Sequence, residues 1–264
     1  MTLRLASVRR TAYSVFVATA LGVSPLLAQQ EPKLDVIYVP TPQEVVDRML
    51  EMAEVKATDF VIDLGCGDGR MVVTAARKYG ASGYGVDINP VRIQESNENA
   101  KKSGVTDKAT FKVADLFQEN IGKADVMTMY LLTEINRRLR PKILAELKPG
   151  SRVVSHAFDM GDWEPDQRDV VSSKQIYLWY VPAVIQGQWQ IEGEEKMTLD
   201  LTQKYQMVSG KAATGARSAE VAGKLKGTEV TLTVTRDGAK KEYKGVVEGN
   251  EIKGIGGAWR ARRT

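Results

Sequence analysis

One cysteine, Cys66, and one histidine, His156, stand in a chain of 264 residues. A lone cysteine excludes an internal disulfide, and one residue of each kind excludes a structural zinc site of the usual Cys/His type. If the chain is exported, Cys66 carries a free thiol into an oxidising compartment, so it is expected to be buried or covered by ligand. Internal repeats and low-complexity runs are also missing. A long hydrophobic span is lacking too: the uncharged apolar run from about Thr11 to Leu27 is short for a membrane crossing. Arg4, Arg9 and Arg10 precede that run and Ala28-Gln29-Gln30 ends it, which is the pattern of a secretory signal peptide over residues 1–28. Cleavage after Ala28 gives an exported protein, periplasmic or secreted. Retention of the leader gives one held at a membrane by an N-terminal anchor, and peripheral membrane association through the basic carboxyl-terminal end is a separate alternative.

Without the leader, 34 basic residues face 33 acidic ones, so the basic pI says little about nucleic acid, and no nucleic-acid partner is expected. The charge is uneven, about −3 over residues 29–182 and about +4 over residues 183–264. Arg260, Arg262 and Arg263 supply much of that excess and read as a solvated end, as do Arg137, Arg138 and Arg140 on a helix. The composition, 43% hydrophobic and 27% charged, is that of a globular α/β core with a smaller unit beside it.

Val45, Val46, Met49, Leu50 and Met52 recur at helical spacing from Pro42 to Ala53, with Thr41 placed as an N-cap and Pro42 at the first helical position. Strand and helix then alternate. Strands are expected at Asp59–Leu64, Gly83–Asp87, Ala109–Val113, Val126–Leu131 and Arg152–Ala157, and helices at Arg70–Lys78, Pro90–Ser103 and Asn136–Leu147. That alternation implies βαβ units and a mostly parallel sheet over residues 29–182. Beyond Val181 the texture changes to short alternating runs, such as Met197–Leu201, Ala219–Leu225 and Thr228–Val234, separated by turn signals at Lys226-Gly227 and Asp237-Gly238. Residues 183–264 are therefore expected to form a small antiparallel β-domain.

The first strand runs into Asp63-Leu64-Gly65-Cys66-Gly67-Asp68-Gly69. Glycines let the backbone take positive φ and approach a ligand closely. The spacing is G-x-G-x-G rather than the dinucleotide G-x-G-x-x-G, which favours the amino-acid end of S-adenosyl-L-methionine over a pyrophosphate. The second strand ends in Asp87-Ile88-Asn89, where a carboxylate can accept from both ribose hydroxyls. The third ends in Ala114-Asp115-Leu116, where a carboxylate can receive the adenine amino group while neighbouring backbone pairs with the ring edge. Three strand ends thus converge on one nucleoside.

From about Tyr38 to Pro165, roughly half the chain, the order and spacing of these motifs resemble the class I S-adenosylmethionine-dependent methyltransferases, whose fold is a Rossmann-like seven-strand sheet. Tyr38-Val39-Pro40-Thr41-Pro42, the Asp63 loop, Tyr130-Leu131-Leu132 and Val153-Val154-Ser155-His156-Ala157-Phe158 look like the protein-lysine methyltransferase group that includes the mitochondrial enzymes acting on the c-subunit of ATP synthase. The resemblance implies that Tyr38 and Thr41 close over the cofactor, and that Asp63 and Gly65 to Gly69 hold its methionine part. It also implies that Asp87 takes the ribose, with Ile88 and Asn89 beside it, Asp115 and Leu116 take the adenine, and Tyr130 faces the transferred methyl. His156 is a candidate to assist transfer or orient substrate, and Asp159 and Trp163 are candidates for the acceptor wall. Cys66 and Asp68, inside the loop, are expected to touch cofactor. The fourth-strand motif departs from the Asn/Asp-Pro-Pro-Tyr/Phe pattern of enzymes acting on amides and adenine, which removes support for those acceptors.

Blander readings stand beside these. A glycine turn alone is often only a tight connection, Asp115 alone a turn residue, Tyr130 ordinary strand packing and a lone histidine a hydrogen-bonded structural residue. The four tryptophans, Trp163, Trp179, Trp189 and Trp259, read as core. The acceptor is left between protein lysine and a small molecule, and two further alternatives are an exported nucleoside-binding protein without catalysis and a nucleotide-dependent oxidoreductase.

Overall fold

The computed structural model describes residues 38–264 apart from residue 194, so the leader pattern of residues 1–28 lies outside the described residues. Seven strands form one sheet in the order β3-β2-β1-β4-β5-β7-β6. β1 (Phe60–Leu64) lies at the centre of the five parallel strands, with β2 (Ser82–Asp87) and β3 (Ala109–Val113) on one side and β4 (Val126–Met129) and β5 (Arg152–His156) on the other. β1 and β4 are buried along nearly their whole length, as strands covered on both faces must be, and their sequences are accordingly near-continuous apolar runs. The strand order reverses between β1 and β4, so the carboxyl ends of β1, β2, β3 and β4 open on a common crevice.

β6 (Gln167–Val171) and β7 (Lys174–Tyr180) form an antiparallel hairpin that completes the sheet next to β5. No strand is predicted there from the sequence. β6 is an edge strand that begins Gln167-Arg168-Asp169, so it carries almost no apolar alternation to read.

Helix α1 (Gln43–Met52) buries Val45, Val46, Met49, Leu50 and Met52, the predicted stripe, against β5 and β7. Its start differs from expectation. Pro42 takes the N-cap position with extended backbone and no side chain caps the helix; the Thr41 hydroxyl is turned instead to His156, in the core. Helix α2 (Arg70–Thr74) continues as a π-helical turn through Tyr79, closed by Gly80 at φ +75°. Helix α3 (Pro90–Lys102) starts as its residues dictate, with the Asn89 side chain accepting from Val91 N at 2.9 Å and Pro90 at the first position. Helix α4 (Thr133–Glu146) begins three residues before the predicted Asn136, because β4 stops at Met129 and Tyr130 and Leu131 turn out of the sheet toward the crevice.

The carboxyl-terminal residues close into an eight-strand antiparallel barrel, β8 (Gly187–Gly193) through β15 (Trp259–Arg263), in which β15 pairs back onto β8. Its alternating apolar residues, among them Trp189, Leu199, Leu201, Val221, Leu232, Ile252 and Ala261, point inward and fill the interior, so a barrel of this strand number holds a packed core. Closure removes the free edges that an open antiparallel sheet would present. The barrel seats on the sheet through the turn between β9 (Met197–Lys204) and β10 (Met207–Thr214). There Tyr205 stacks on Trp163 at 5.8 Å, Gln206 donates to Glu164 O at 2.7 Å, and Tyr205, Lys204 and Arg140 all reach Asp162.

Candidate active site

At the carboxyl ends of β1 to β4 the structure holds a cavity of about 510 Å³. Its floor is the loop after β1. Gly65 and Gly67 sit at φ +75° and +54°, where a Cβ is costly, and a Cβ on Gly67 would lie 2.3 Å from the Tyr38 ring. The sequence demands glycine here because the loop must both turn and let an aromatic ring lie against its backbone.

Asp87, at the end of β2, ties this floor to the next strand: one carboxylate oxygen accepts from Gly67 N at 3.0 Å and the other from Asn89 N at 2.9 Å. Asp63 is buried beneath the floor and accepts from the Thr128 hydroxyl at 2.7 Å. Burial pushes its carboxyl up to about 7 against that hydrogen bond, and the charges of Asp87 and Asp68 add to the rise. For Asp68, partial burial opposes ionisation, but the Arg70 guanidinium forked on it at 2.6 and 2.9 Å holds the carboxyl below the usual range. Asp115 is exposed at the rim, where it accepts from Phe117 N at 2.9 Å. Four carboxylates thus line one cavity, while Arg70 is spent on Asp68 and Arg92 pairs with Glu95 at 2.8 Å. The field in the cavity favours a cation.

The segment Tyr38–Thr41 straps across the floor. The Arg92 guanidinium lies 4.5 Å over the Tyr38 ring, Arg70 Nη1 donates to Thr41 O at 2.7 Å, and Thr41 Oγ1 shares a hydrogen bond of 3.1 Å with His156 Nδ1. The fourth wall is apolar: Tyr130, Leu131, Leu132 and Phe158, with the Tyr130 and Phe158 rings stacked at 6.0 Å.

Of the residues singled out in the sequence, Tyr38, Thr41, Asp63, Gly65, Cys66, Gly67, Asp68, Asp87, Ile88, Asn89, Asp115, Leu116 and Tyr130 all line this cavity. Gly69 does not. At φ +77° it starts α2, and a Cβ there would meet Phe111 at 2.7 Å, so its glycine serves packing behind the loop. His156 is fully buried behind Tyr130, its ring 3.8 Å away, and does not reach the cavity wall; burial, helped by the charge of Lys174, pushes its imidazole down to about 4. A neutral ring walled off in this way cannot touch the transferred methyl. Asp159 and Trp163 also miss the wall: Asp159 caps its own turn through Gly161 N, and Trp163 is core. Burial pushes the Cys66 thiol well up, with Asp63 and Asp87 adding to it, so this cysteine is a packed residue and no nucleophile.

Sequence reasoning missed Arg70, Arg92, Phe117 and Phe158. Arg70 opens α2 and Arg92 lies in the first turn of α3, the helices that follow two cavity-facing strand ends, which is the only signal they carry; Phe158 reaches the wall because Ala157, at φ +63°, reverses the chain after β5.

A cavity floored by a G-x-G-x-G turn, with acidic residues ending the two following strands, has a counterpart among known proteins. A family model described as the ANTKMT methyltransferase domain matches residues 63–167. A protein-lysine N-methyltransferase of Saccharolobus islandicus is 46% identical over 149 residues, which are 54% of this chain and 92% of the relative. The chain belongs to this methyltransferase family. An ATP synthase c-subunit lysine N-methyltransferase of Xenopus laevis is 30% identical over 57% of this chain, which spans 66% of that relative's length. A solved structure of an RNA methyltransferase from Salinibacter ruber, in complex with S-adenosyl-L-homocysteine, is 48% identical, covers 56% of this chain and 96% of its own, and superposes with a TM-score of 0.55. The methyl donor of this methyltransferase is S-adenosylmethionine. The cavity fits it: glycines clear the space a Cβ would fill, and carboxylates surround what must receive an ammonium and a sulfonium.

Proposed function

We propose that this methyltransferase transfers a methyl group to the ε-amino nitrogen of lysine in a protein acceptor. The observation that carries the reading is the uncharged wall of Tyr130, Leu131, Leu132 and Phe158, set beside a carboxylate-lined cofactor cavity. Asp63, Gly65 and Gly67 would hold the methionine end of the cofactor, Asp87 the ribose and Asp115 the adenine, with Tyr38 and Thr41 closing over it. When bound, S-adenosylmethionine supplies an activated methyl, so the residues around it mainly align a nucleophile.

An ordinary lysine, with a pKa of about 10.4, must shed its proton before it can attack. The apolar wall favours the neutral amine by desolvation, and the Tyr130 ring faces where the acceptor nitrogen approaches. None of the groups on that wall is a dedicated base, and none is required. The protein-lysine acceptor is supported by the relatives from Saccharolobus and Xenopus, both of which carry lysine methylation in their names.

The test is transfer of a labelled methyl from S-adenosylmethionine into an extract of the cell envelope. Label recovered as methyl-lysine after protein hydrolysis is the expected result. Label only in small molecules, or label removed by ribonuclease as the Salinibacter relative's name would suggest, overturns the lysine reading. Saturable cofactor binding with no transfer at all would favour a binding protein without catalysis. Export, the reading of residues 1–28, is tested separately: the mature protein recovered from the envelope is expected to begin at Gln29, and a retained Met1 would mean an anchor.

A further inference from the structure

His156 takes no part in the chemistry above, yet from behind the cavity it joins the strap to the Tyr130 side. Its Nδ1 bonds the Thr41 hydroxyl at 3.1 Å, across 115 residues of sequence, and its ring lies 3.8 Å from that of Tyr130. The other ring nitrogen, Nε2, is buried with no hydrogen-bond partner among the described residues. A buried polar atom left unpaired costs stability. If the position needed only a flat ring to back Tyr130, phenylalanine would fill it without that cost. What histidine adds is the bond from Nδ1.

Among the described residues, the strap's other anchors lie on the glycine-loop side: Arg92 over Tyr38, Arg70 on Thr41 O, and the Asp68–Arg70 pair beside the Tyr38 hydroxyl. Arg70 opens α2 and Arg92 lies in the first turn of α3. Among the described residues, His156 alone ties the strap to the end of β5 on the far side of the cavity. Thr41 is itself buried and its side chain does not cap α1, so among the described residues its hydroxyl bonds His156 alone. We propose that His156 is a positioning residue whose Nδ1 pins the Tyr38–Thr41 strap across the cavity, so that tight closure on the cofactor depends on that one hydrogen bond. This rests on the reading of the strap as the cofactor's cover.

Two substitutions divide the side chain into its parts. His156→Phe keeps the ring and removes the bond. His156→Asn removes the ring but places an amide, which offers either a donor or an acceptor, where Nδ1 stood. Thr41→Val deletes the other partner at nearly constant shape. The strap is read directly by amide hydrogen exchange, followed by mass spectrometry, of the peptide containing residues 38–41 in the protein without ligand. Its closure is read by the affinity for S-adenosylhomocysteine in calorimetry, with circular dichroism confirming that each variant is folded.

Thr41→Val and His156→Phe are each expected to speed exchange of the strap and to weaken S-adenosylhomocysteine about tenfold, the worth of one such bond. The double variant should be no weaker than either single one, because both remove the same interaction. His156→Asn should stay within threefold of wild type. A residue that merely fills the core predicts the reverse order, with His156→Phe tolerated and His156→Asn impaired, and that result overturns the proposal. Faster strap exchange with unchanged affinity also overturns it, since the strap would then not cover the cofactor. Should wild type fail to bind S-adenosylhomocysteine, the cofactor site itself is wrong; the exchange measurement still decides whether His156 holds the strap.

Discussion

Gly67 concentrates more constraint than any other single position in the site. Its φ of +54° is expensive for an L side chain, and the Tyr38 ring occupies the place of a Cβ at 2.3 Å. Gly67→Ala must therefore push the strap away or flatten the loop. S-adenosylmethionine affinity is expected to fall by ten- to a hundredfold in calorimetry while the melting temperature drops by only a few degrees; affinity within twofold of wild type would contradict the geometry. Asp87 is the second such position, because its two oxygens hold Gly67 N and Asn89 N and still face the cavity. Asp87→Ala loses charge-assisted bonds worth about 1.5–3 kcal/mol each, so binding weakened by at least tenfold is expected in the same experiment. Asp63 answers to pH. Its folded carboxyl is raised to about 7, above the unfolded value near 3.9, so the unfolded chain gives up the proton first as pH rises. Its contribution is complete below about pH 4 and is lost through pH 7. The difference in unfolding free energy between wild type and Asp63→Asn should then shift against wild type by up to roughly 4 kcal/mol from pH 4 to pH 8, read by urea titration at each pH. A constant difference would mean that Asp63 is ionised throughout.

Among the elements, the segment between β5 and β6 does the most connecting. It leaves β5 at Ala157, places Phe158 on the cavity wall, and then buries Trp163 between Trp179 and Tyr205. Asn136 of α4 pins its start by donating to Phe158 O at 3.0 Å and Asp159 O at 3.1 Å. Trp163→Ala would empty a fully buried site and unseat the barrel turn together, for an expected loss of about 3–5 kcal/mol in denaturant unfolding. A loss under 1 kcal/mol would show that the segment is held by its polar contacts alone. The elements that sequence periodicity located, α1, β1 and β4 among them, are those whose own residues carry the pattern. The β6–β7 hairpin escaped because its outer strand is polar and its place is set by pairing with β5, which no local pattern records.

For the whole molecule, the seating of the barrel decides whether sheet and barrel behave as one cooperative unit. The junction combines aromatic stacking of Tyr205 on Trp163, the main-chain bond from Ala183 N to Gly227 O at 2.8 Å, and the Asp162 cluster with Arg140 and Lys204. A single unfolding transition is expected, with tryptophan fluorescence and far-ultraviolet circular dichroism coinciding; two separated transitions would mean that the junction contributes little. Sequence by itself determined the glycine turn after β1, the acids that end β2 and β3, and the alternation that announces two kinds of β-structure. Each of these depends on residue identity at a fixed spacing along one stretch of chain, and the converging strand ends then follow from parallel pairing. Only the tertiary structure decided that Thr41 serves His156 rather than a helix end, that Arg70 and Arg92 hold the strap, that Phe158 joins the wall while Trp163 leaves it, and that the last eight strands close on themselves. Those outcomes turn on contacts between residues far apart in the chain, whose energies depend on which groups share a buried space, and no local pattern carries that information.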